Sequence, residues 1–267
     1  MSTSYLILII FLIITFSACE QEEPEIISLG YKMFEQIYEH PECETDEGPC
    51  VTLIFTYPEF TGEEPLASSL NDWISNQLLE EENGINSLNF GQLARQWYSD
   101  YEIYVTEIDN YNISWSLERR VELVHDNPDL ISLHFHEFSF TGGAHPIQAD
   151  IFRSFRKPEG IIITLDELTY DQSQFRLLTS LAEEQFRYTF ELLEDENLED
   201  AGFWFVDNDF HLTENFAFTN FGLLFYYNVY EVAPYATGPI AVEIEYRDLQ
   251  NILRSTWLHD YEQLSLK

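Results

Sequence analysis

The sequence predicts an α+β fold in which an antiparallel sheet packs with amphipathic helices in two interlocked subdomains. Three observations carry that expectation. Apolar and polar residues alternate in several runs of strand length, other stretches repeat apolar residues at helical spacing, and the two patterns cluster without regular strand-helix-strand alternation. Hydrophobic residues make up 45% of the chain and aromatic residues 16%, with 21 Phe and 16 Tyr. That is enough apolar material for a core and far from the composition of a disordered chain.

The chain opens on an apolar run from Tyr5 to Ala18. It is too short to span a bilayer comfortably and reads as the hydrophobic segment of a signal peptide over residues 1–18. Phe16-Ser17-Ala18-Cys19 puts small residues directly before a cysteine and resembles a bacterial lipobox, which implies lipid on Cys19. Phe16 stands where Leu is usual, and no Lys or Arg precedes the run, so a soluble secretory signal and an uncleaved anchor remain as alternatives. Glu20, Glu22 and Glu23 make residues 19–26 an acidic tether. This stretch is similar to the tag that sends some Bacteroidetes-type lipoproteins to the outer face of the outer membrane.

Folded sequence is expected from Ile27, as an N-terminal companion domain over 27–140 and a C-terminal domain over 141–267. Cys43 and Cys50 flank a turn-rich hexapeptide and are expected to pair as a disulfide in an oxidising compartment. They lack the Cys-x-x-Cys spacing and the basic neighbour of a redox site, and the second ligand pair of a metal site. Val51 to Tyr57 is rich in β-formers and stops at Pro58, as one arm of a hairpin. Leu66, Leu70, Trp73, Ile74 and Leu78 share one helical stripe that Glu80 to Gly84 ends, and Phe90, Leu93, Trp97 and Tyr101 form a second.

Alternation returns at Tyr111, Ile113, Trp115 and Leu117 and again from Leu130 to Phe140, two strands joined at Asn127-Pro128. A loop at Thr141 to Pro146 leads to strands at Ile147 to Phe155 and Ile161 to Thr164. Phe175, Leu178, Leu181, Ala182, Phe186 and Phe190 suit a helix of about five turns. Strands at Leu223 to Tyr230 and Ile240 to Tyr246 follow, then a short helix from Leu249 to Trp257.

Charge excludes two classes of partner. With 48 acidic against 12 basic residues the net charge is -36, so nucleic acid and anionic headgroups are repelled and the membrane is reached only through the N-terminal lipid. Acidic runs are ordinarily solvated surface, but a field of one sign also draws a cationic partner.

No Gly-x-Ser-x-Gly elbow, His-Glu-x-x-His, P-loop or Gly-x-Gly-x-x-Gly is present. No catalytic residue and no cofactor is assigned. His134 and His136 share one face of a strand, with His145 a loop later; a zinc or copper site on them is conceivable. Without a further ligand in sight they read as solvent-facing residues alternating with Leu133, Phe135 and Phe138, and no metal is expected. Asp207-Asn208-Asp209 lacks the Gly and distant Glu of a calcium loop and reads as a polar turn. Tyr226, Tyr227, Tyr230 and Tyr235 could stack on sugar rings, though alternating aromatics in a strand are mostly core.

Phe138-Ser139-Phe140-Thr141-Gly142-Gly143-Ala144-His145-Pro146 is the most specific string in the chain. It resembles the Tyr-Thr-Gly-Gly-Ala-His signature of the RsiV-like envelope family, the C-terminal domain of a lysozyme-sensing anti-sigma factor that also occurs in some peptidoglycan deacetylases. Ile163 to Leu168, Phe216-Ala217-Phe218, Gly222 and Tyr230 to Gly238 follow in the family's order, and the region from Cys43 through Asn71 is similar to its companion domain. The resemblance implies ligand binding at Thr141, Gly142, Gly143, His145 and Pro146 together with Pro234, Tyr235, Thr237 and Gly238. The ligand would be a cationic lysozyme-like protein or cell-wall glycan, met by a lipid-anchored protein in the periplasm or on the outer-membrane surface. No sigma-binding segment or deacetylase domain accompanies it, so neither activity transfers. An envelope polymer-processing enzyme using His145 and a structural envelope component are the competing functions.

Acylation of Cys19 is directly testable. A clickable fatty acid should label the wild type and spare Cys19→Ala; equal labelling of both proteins would refute the anchor.

Overall fold

The computed structural model describes residues 28–41, 43, 49–80 and 89–258, so the leader, the tether and Cys19 lie outside the described residues. Among the described residues nine strands form two sheets and four α-helices pack on them. The first sheet is built from β1 (Gly30–Glu39), β2 (Val51–Thr61), β3 (Trp115–Asp126), β4 (Leu130–Phe140), β5 (Ile147–Arg156) and β6 (Ile161–Ile162), side by side in chain order. The second contains β7 (Phe216–Phe218), β8 (Gly222–Tyr227) and β9 (Ile240–Glu245), all antiparallel.

The α+β expectation holds, with one refinement: β2 and β3 run parallel, so the large sheet is mixed. Parallel neighbours need a long crossover, and α1 (Leu66–Leu79) and α2 (Phe90–Glu107) provide it. The predicted stripe of α1 is buried at Leu66, Leu70, Ile74 and Leu78; Leu93 and Tyr101 bury the matching face of α2. Asn89 caps α2 by accepting from the Gln92 amide.

The hairpin of β1 and β2 is tied at its neck by the Cys43–Cys50 disulfide, with Cα atoms 5.3 Å apart. β2 does not stop at Pro58 but continues to Thr61. Proline is tolerated there because pairing with β3 ends at Thr56, leaving that flank free. Asn71 of α1 takes the place of a strand partner on the same stretch: its Nδ2 donates to the Phe60 carbonyl at 2.8 Å and its Oδ1 accepts from the Phe60 amide at 2.9 Å.

One face of the large sheet, with Leu53, Phe55, Leu117, Val121, Leu133 and Phe155, packs on α1 and α2 as one core. A second core gathers α3 (Gln172–Thr189), the small sheet and the C-terminal segment around Phe186, Phe216, Phe225 and Tyr227. β4 and β5, on either side of 140/141, form one hairpin and reach both cores: Leu130 points into the second while Ile131 and Leu133 point into the first.

Two further expectations are corrected at the edges of elements. β3 begins at Trp115, because Tyr111 turns out of the strand line and its hydroxyl bonds to the Thr141 carbonyl and the Trp115 indole. The expected helix from Leu249 to Trp257 is instead the end of α4 (Tyr246–Leu249) and a 3₁₀ turn at Ser255–Trp257. Between them the Arg254 amide and guanidinium donate to the carbonyls of Leu168 and Thr169, which breaks the run of local backbone pairing that a continuous helix needs.

Replacing Cys43 and Cys50 by Ala opens a loop of sequence separation 7. Loss of that short closure should cost roughly 2 to 3 kcal/mol in chemical denaturation. Unchanged stability, or free thiols in the mature protein, would contradict a structural bond.

Candidate functional site

The loop between β4 and β5 carries the string singled out from the sequence, and the fold brings it against a loop some ninety residues later. The His145 ring stacks on Tyr235 with centroids 4.0 Å apart and planes inclined by 19°. Tyr230 completes the cluster, 5.6 Å from Tyr235 and 6.3 Å from His145. Its φ of 64° is an unusual conformation for an aromatic residue, and its side chain is exposed.

Each loop is held from behind. Gly142 has φ 86°, and a Cβ there would lie 2.7 Å from the Tyr111 hydroxyl, the same hydroxyl that donates to the Thr141 carbonyl. Pro234 starts a 3₁₀ turn over Tyr235–Thr237, and Gly238 ends it at φ 76°, ψ -173°, a region essentially reserved for glycine. Gly143 has open space around it and no left-handed φ, so positive φ is needed at Gly142 alone of the pair. The His145 Nδ1 lies 3.2 Å from the Pro146 carbonyl oxygen. All nine residues assigned to ligand binding therefore fall in two adjoining loops, half-buried to exposed.

Beneath this patch, on the stem of the same hairpin, Asp150 joins the two sheets. Its amide donates to Asn228 Oδ1 at 2.7 Å, and its carbonyl accepts from Asn215 at 2.8 Å and from Asn228 at 2.9 Å. Asn215 Oδ1 also accepts from the Phe152 amide at 2.7 Å, and Ser154 Oγ accepts from Phe218 at 3.0 Å. The asparagine amides thus satisfy the flank of β5 that β6 is too short to cover.

The Asp150 side chain faces His134 and His136. His134 Nε2 lies 2.7 Å and His136 Nδ1 2.9 Å from the same oxygen, Oδ1, while the Tyr226 hydroxyl donates to Oδ2 at 3.1 Å. The His134 ring is stacked on Phe152 at 4.1 Å with planes 4° apart. Burial pushes the Asp150 carboxyl upward, but the hydrogen bonds from the two histidines outweigh it and hold the group below the usual range. Burial, followed by the charge of Asp150 and its hydrogen bond, raises the Tyr226 hydroxyl; burial, then the charge of Glu231, raises that of Tyr227.

On the opposite side of the sheet, a cavity of about 380 Å³ lies between α2 and β3–β4 and reaches Thr141. Trp97, Tyr104 and Trp115 supply its aromatic wall, with Tyr104 and Trp115 5.1 Å apart. Arg119 sits at its floor, donating to Glu137 at 2.6 Å and to the carbonyls of Leu78 and Glu80 at the end of α1.

Sequence spacing placed His134 and His136 on one face, as found, but grouped them with His145, which the structure leaves with Tyr235 instead. Asp150 was missed: it lies opposite His136 in the register of β4 and β5, a relation that strand pairing creates. Of the four tyrosines weighed for stacking, Tyr227 is core, Tyr226 serves Asp150, and Tyr230 and Tyr235 meet at the patch. Asp207-Asn208-Asp209 forms a polar turn with Asp207 and Asn208 at positive φ.

Known proteins bear on this geometry in three ways. Residues 158–247 match the family model described as protein of unknown function (DUF3298), and residues 44–148 match that of the deacetylase PdaC. No curated protein matches the chain. A DUF3298 family protein from Pseudomonas aeruginosa has the same fold, with a TM-score of 0.65 at 18% identity over 87% of this chain and 97% of its own. A DUF3298 member from Bacteroides fragilis gives 0.66 at 21% over 86% and 96%. The two family models thus match successive parts of the chain, and the two structures share its fold.

The raised hydroxyls set a pH prediction. A group raised in the fold adds stability that is complete below its unfolded value, about 10 for tyrosine, and is lost as pH rises beyond it. In an alkaline titration followed by phenolate absorbance, Tyr226 and Tyr227 should ionise last, together with unfolding. Substituting Phe at both should remove that late step, and ordinary ionisation of every tyrosine in the folded protein would refute it.

Proposed function

We propose that the protein is a lipid-anchored binding protein of the cell envelope whose contact surface is the paired loops at 141–146 and 234–238, and whose partner is a cationic, lysozyme-like protein. The observation that carries this reading is the stack of His145 on Tyr235, which joins the two most specific strings of the sequence in one exposed patch. Two domain matches that suggest a cell-envelope protein support it. So does the resemblance to a lysozyme-sensing domain.

Physical chemistry divides the work between two terms. A net charge of -36 accelerates encounter with a cationic protein, an effect that salt screens over about 8 Å at physiological ionic strength. The loops supply shape. Tyr111 and the glycine conformations hold them in place before a partner arrives, which lowers the ordering cost of binding. Tyrosines at the centre of the patch offer large rigid contact area with a polar tip.

A second reading, recognition of cell-wall glycan, is favoured by the cavity beside α2. Its combination of Trp97, Tyr104 and Trp115 with Gln96, Asp100 and Glu137 offers ring faces and hydrogen-bonding groups to a sugar.

Calorimetric titration with lysozyme at about 0.05 M and about 0.3 M salt separates the charge and shape terms. Association should slow at the higher salt while saturable binding survives, and Tyr235→Ala should weaken it by about tenfold or more. Affinity that vanishes at high salt, or is indifferent to Tyr235→Ala and His145→Ala, refutes the loop surface. Binding of peptidoglycan fragments that is lost in Trp97→Ala would instead select the glycan reading, and glycan turnover lost in His145→Ala would select an enzyme.

A further inference from the structure

We infer that His134, His136 and Asp150 form a binding site for one divalent transition-metal ion, with Zn²⁺ the best fit, on the face of the β4–β5 hairpin that meets the small sheet. The ligand atoms of these residues, one from each, all lie within 4.8 Å of one another. Both imidazole nitrogens lie within hydrogen-bond distance of a single carboxylate oxygen, so the three donor atoms are already gathered at one place.

The donor set and its spacing define the ion. Two imidazoles and one carboxylate suit borderline cations such as Zn²⁺, whereas Mg²⁺ and Ca²⁺ prefer shells of oxygen alone. In a tetrahedral site with bonds of about 2.0 to 2.1 Å, ligand atoms stand about 3.3 Å apart. The nitrogens now lie 2.7 and 2.9 Å from Oδ1, roughly half an ångström short of that spacing, and within 4.8 Å of each other. Each neutral imidazole passes its proton to its other ring nitrogen and presents the freed lone pair to the ion; no oxidant or reductant is involved.

Support behind the ligands is already in place. Tyr226 donates to the second carboxylate oxygen, Asn215 and Asn228 fix the Asp150 backbone, and Phe152 fixes the plane of His134. Such groups orient metal ligands and raise their basicity. The three side chains retain 13 to 24% of their exposure, which leaves a solvent-facing side for a fourth ligand such as water.

The inference is independent of the loop surface and its partner, and its readout is metal uptake alone. Metal-free full-length protein titrated with Zn²⁺ against a chromophoric chelator at neutral pH should take up one tight equivalent. His134→Gln and His136→Gln should each weaken it by more than about a hundredfold, since even groups behind the ligands are worth 10–100-fold. Co²⁺ should give the intense visible absorption of a tetrahedral centre, absent in both variants. If the variants fail to fold, the wild type still decides, because Zn²⁺ should shift the imidazole nitrogen resonances of His134 and His136 and leave those of His145 and His211 in place. Uptake that the substitutions leave unchanged, that equal Ca²⁺ displaces, or that moves neither histidine is adsorption to the acidic surface and overturns the site.

Discussion

The junction between the two sheets rests on Asp150, whose main chain and side chain are both engaged at once. β5 pairs with β4 along its length, but its other flank meets β6 only at Phe155 and Arg156. Further along that flank the Asp150 amide and carbonyl and the Phe152 amide are met by the side chains of Asn215 and Asn228, and Ser154 Oγ accepts from β7. Side-chain amides suit this position because each offers a donor and an acceptor and so can mimic a strand. A buried backbone group left without such a partner costs about 1 to 3 kcal/mol. The seam is therefore a condition of the fold as much as a decoration of it.

Everything proposed about recognition is mounted on this seam. The stem that carries Asp150 also carries the loop at Thr141 to Pro146, and β8, which supplies Tyr226, leads through Asn228 to Tyr230 and Tyr235. Two loops distant in sequence are thus held in mutual register by strands already locked together. On the other face Tyr111 fixes Thr141 from below, which connects the patch to the cavity beside α2. One hairpin thereby presents a loop surface at its tip and an imidazole-carboxylate cluster along its stem.

The acidic composition gains meaning from where the few basic residues go. Of 12 Lys and Arg, several are consumed internally. Arg119 serves Glu137 and the end of α1, Arg153 the carbonyls of Phe152 and Glu214, and Arg187 Glu183 with the carbonyls of Leu193 and Glu196. Arg156 pairs with Glu167 and Lys157 with Asp126. These cations hold the fold together, so the outward field is left to the acids. Such a field steers a cationic partner and opposes self-association, at some cost in self-repulsion.

Most of the architecture was legible in the sequence because periodicity is a local property of burial. The stripe of Leu66, Leu70, Ile74 and Leu78 and the run of α3 each reported one buried face, the apolar run from Leu130 to Phe140 reported a strand, and the cysteine spacing reported a closed hairpin neck. Long-range choices were not legible. That β2 pairs parallel with β3, that Asn71 substitutes for a strand, and that Tyr111 leaves the strand line to hold Thr141 depend on which flank the neighbouring element leaves open. The glycines, His145 and Tyr235 could be singled out as strings, but only packing set the ring of one on the ring of the other. His134 and His136 could likewise be placed on one face by the two-residue period of a strand. Asp150 joined them because cross-strand register, fixed by two cores and a seam of asparagines, is decided by the folded chain as a whole.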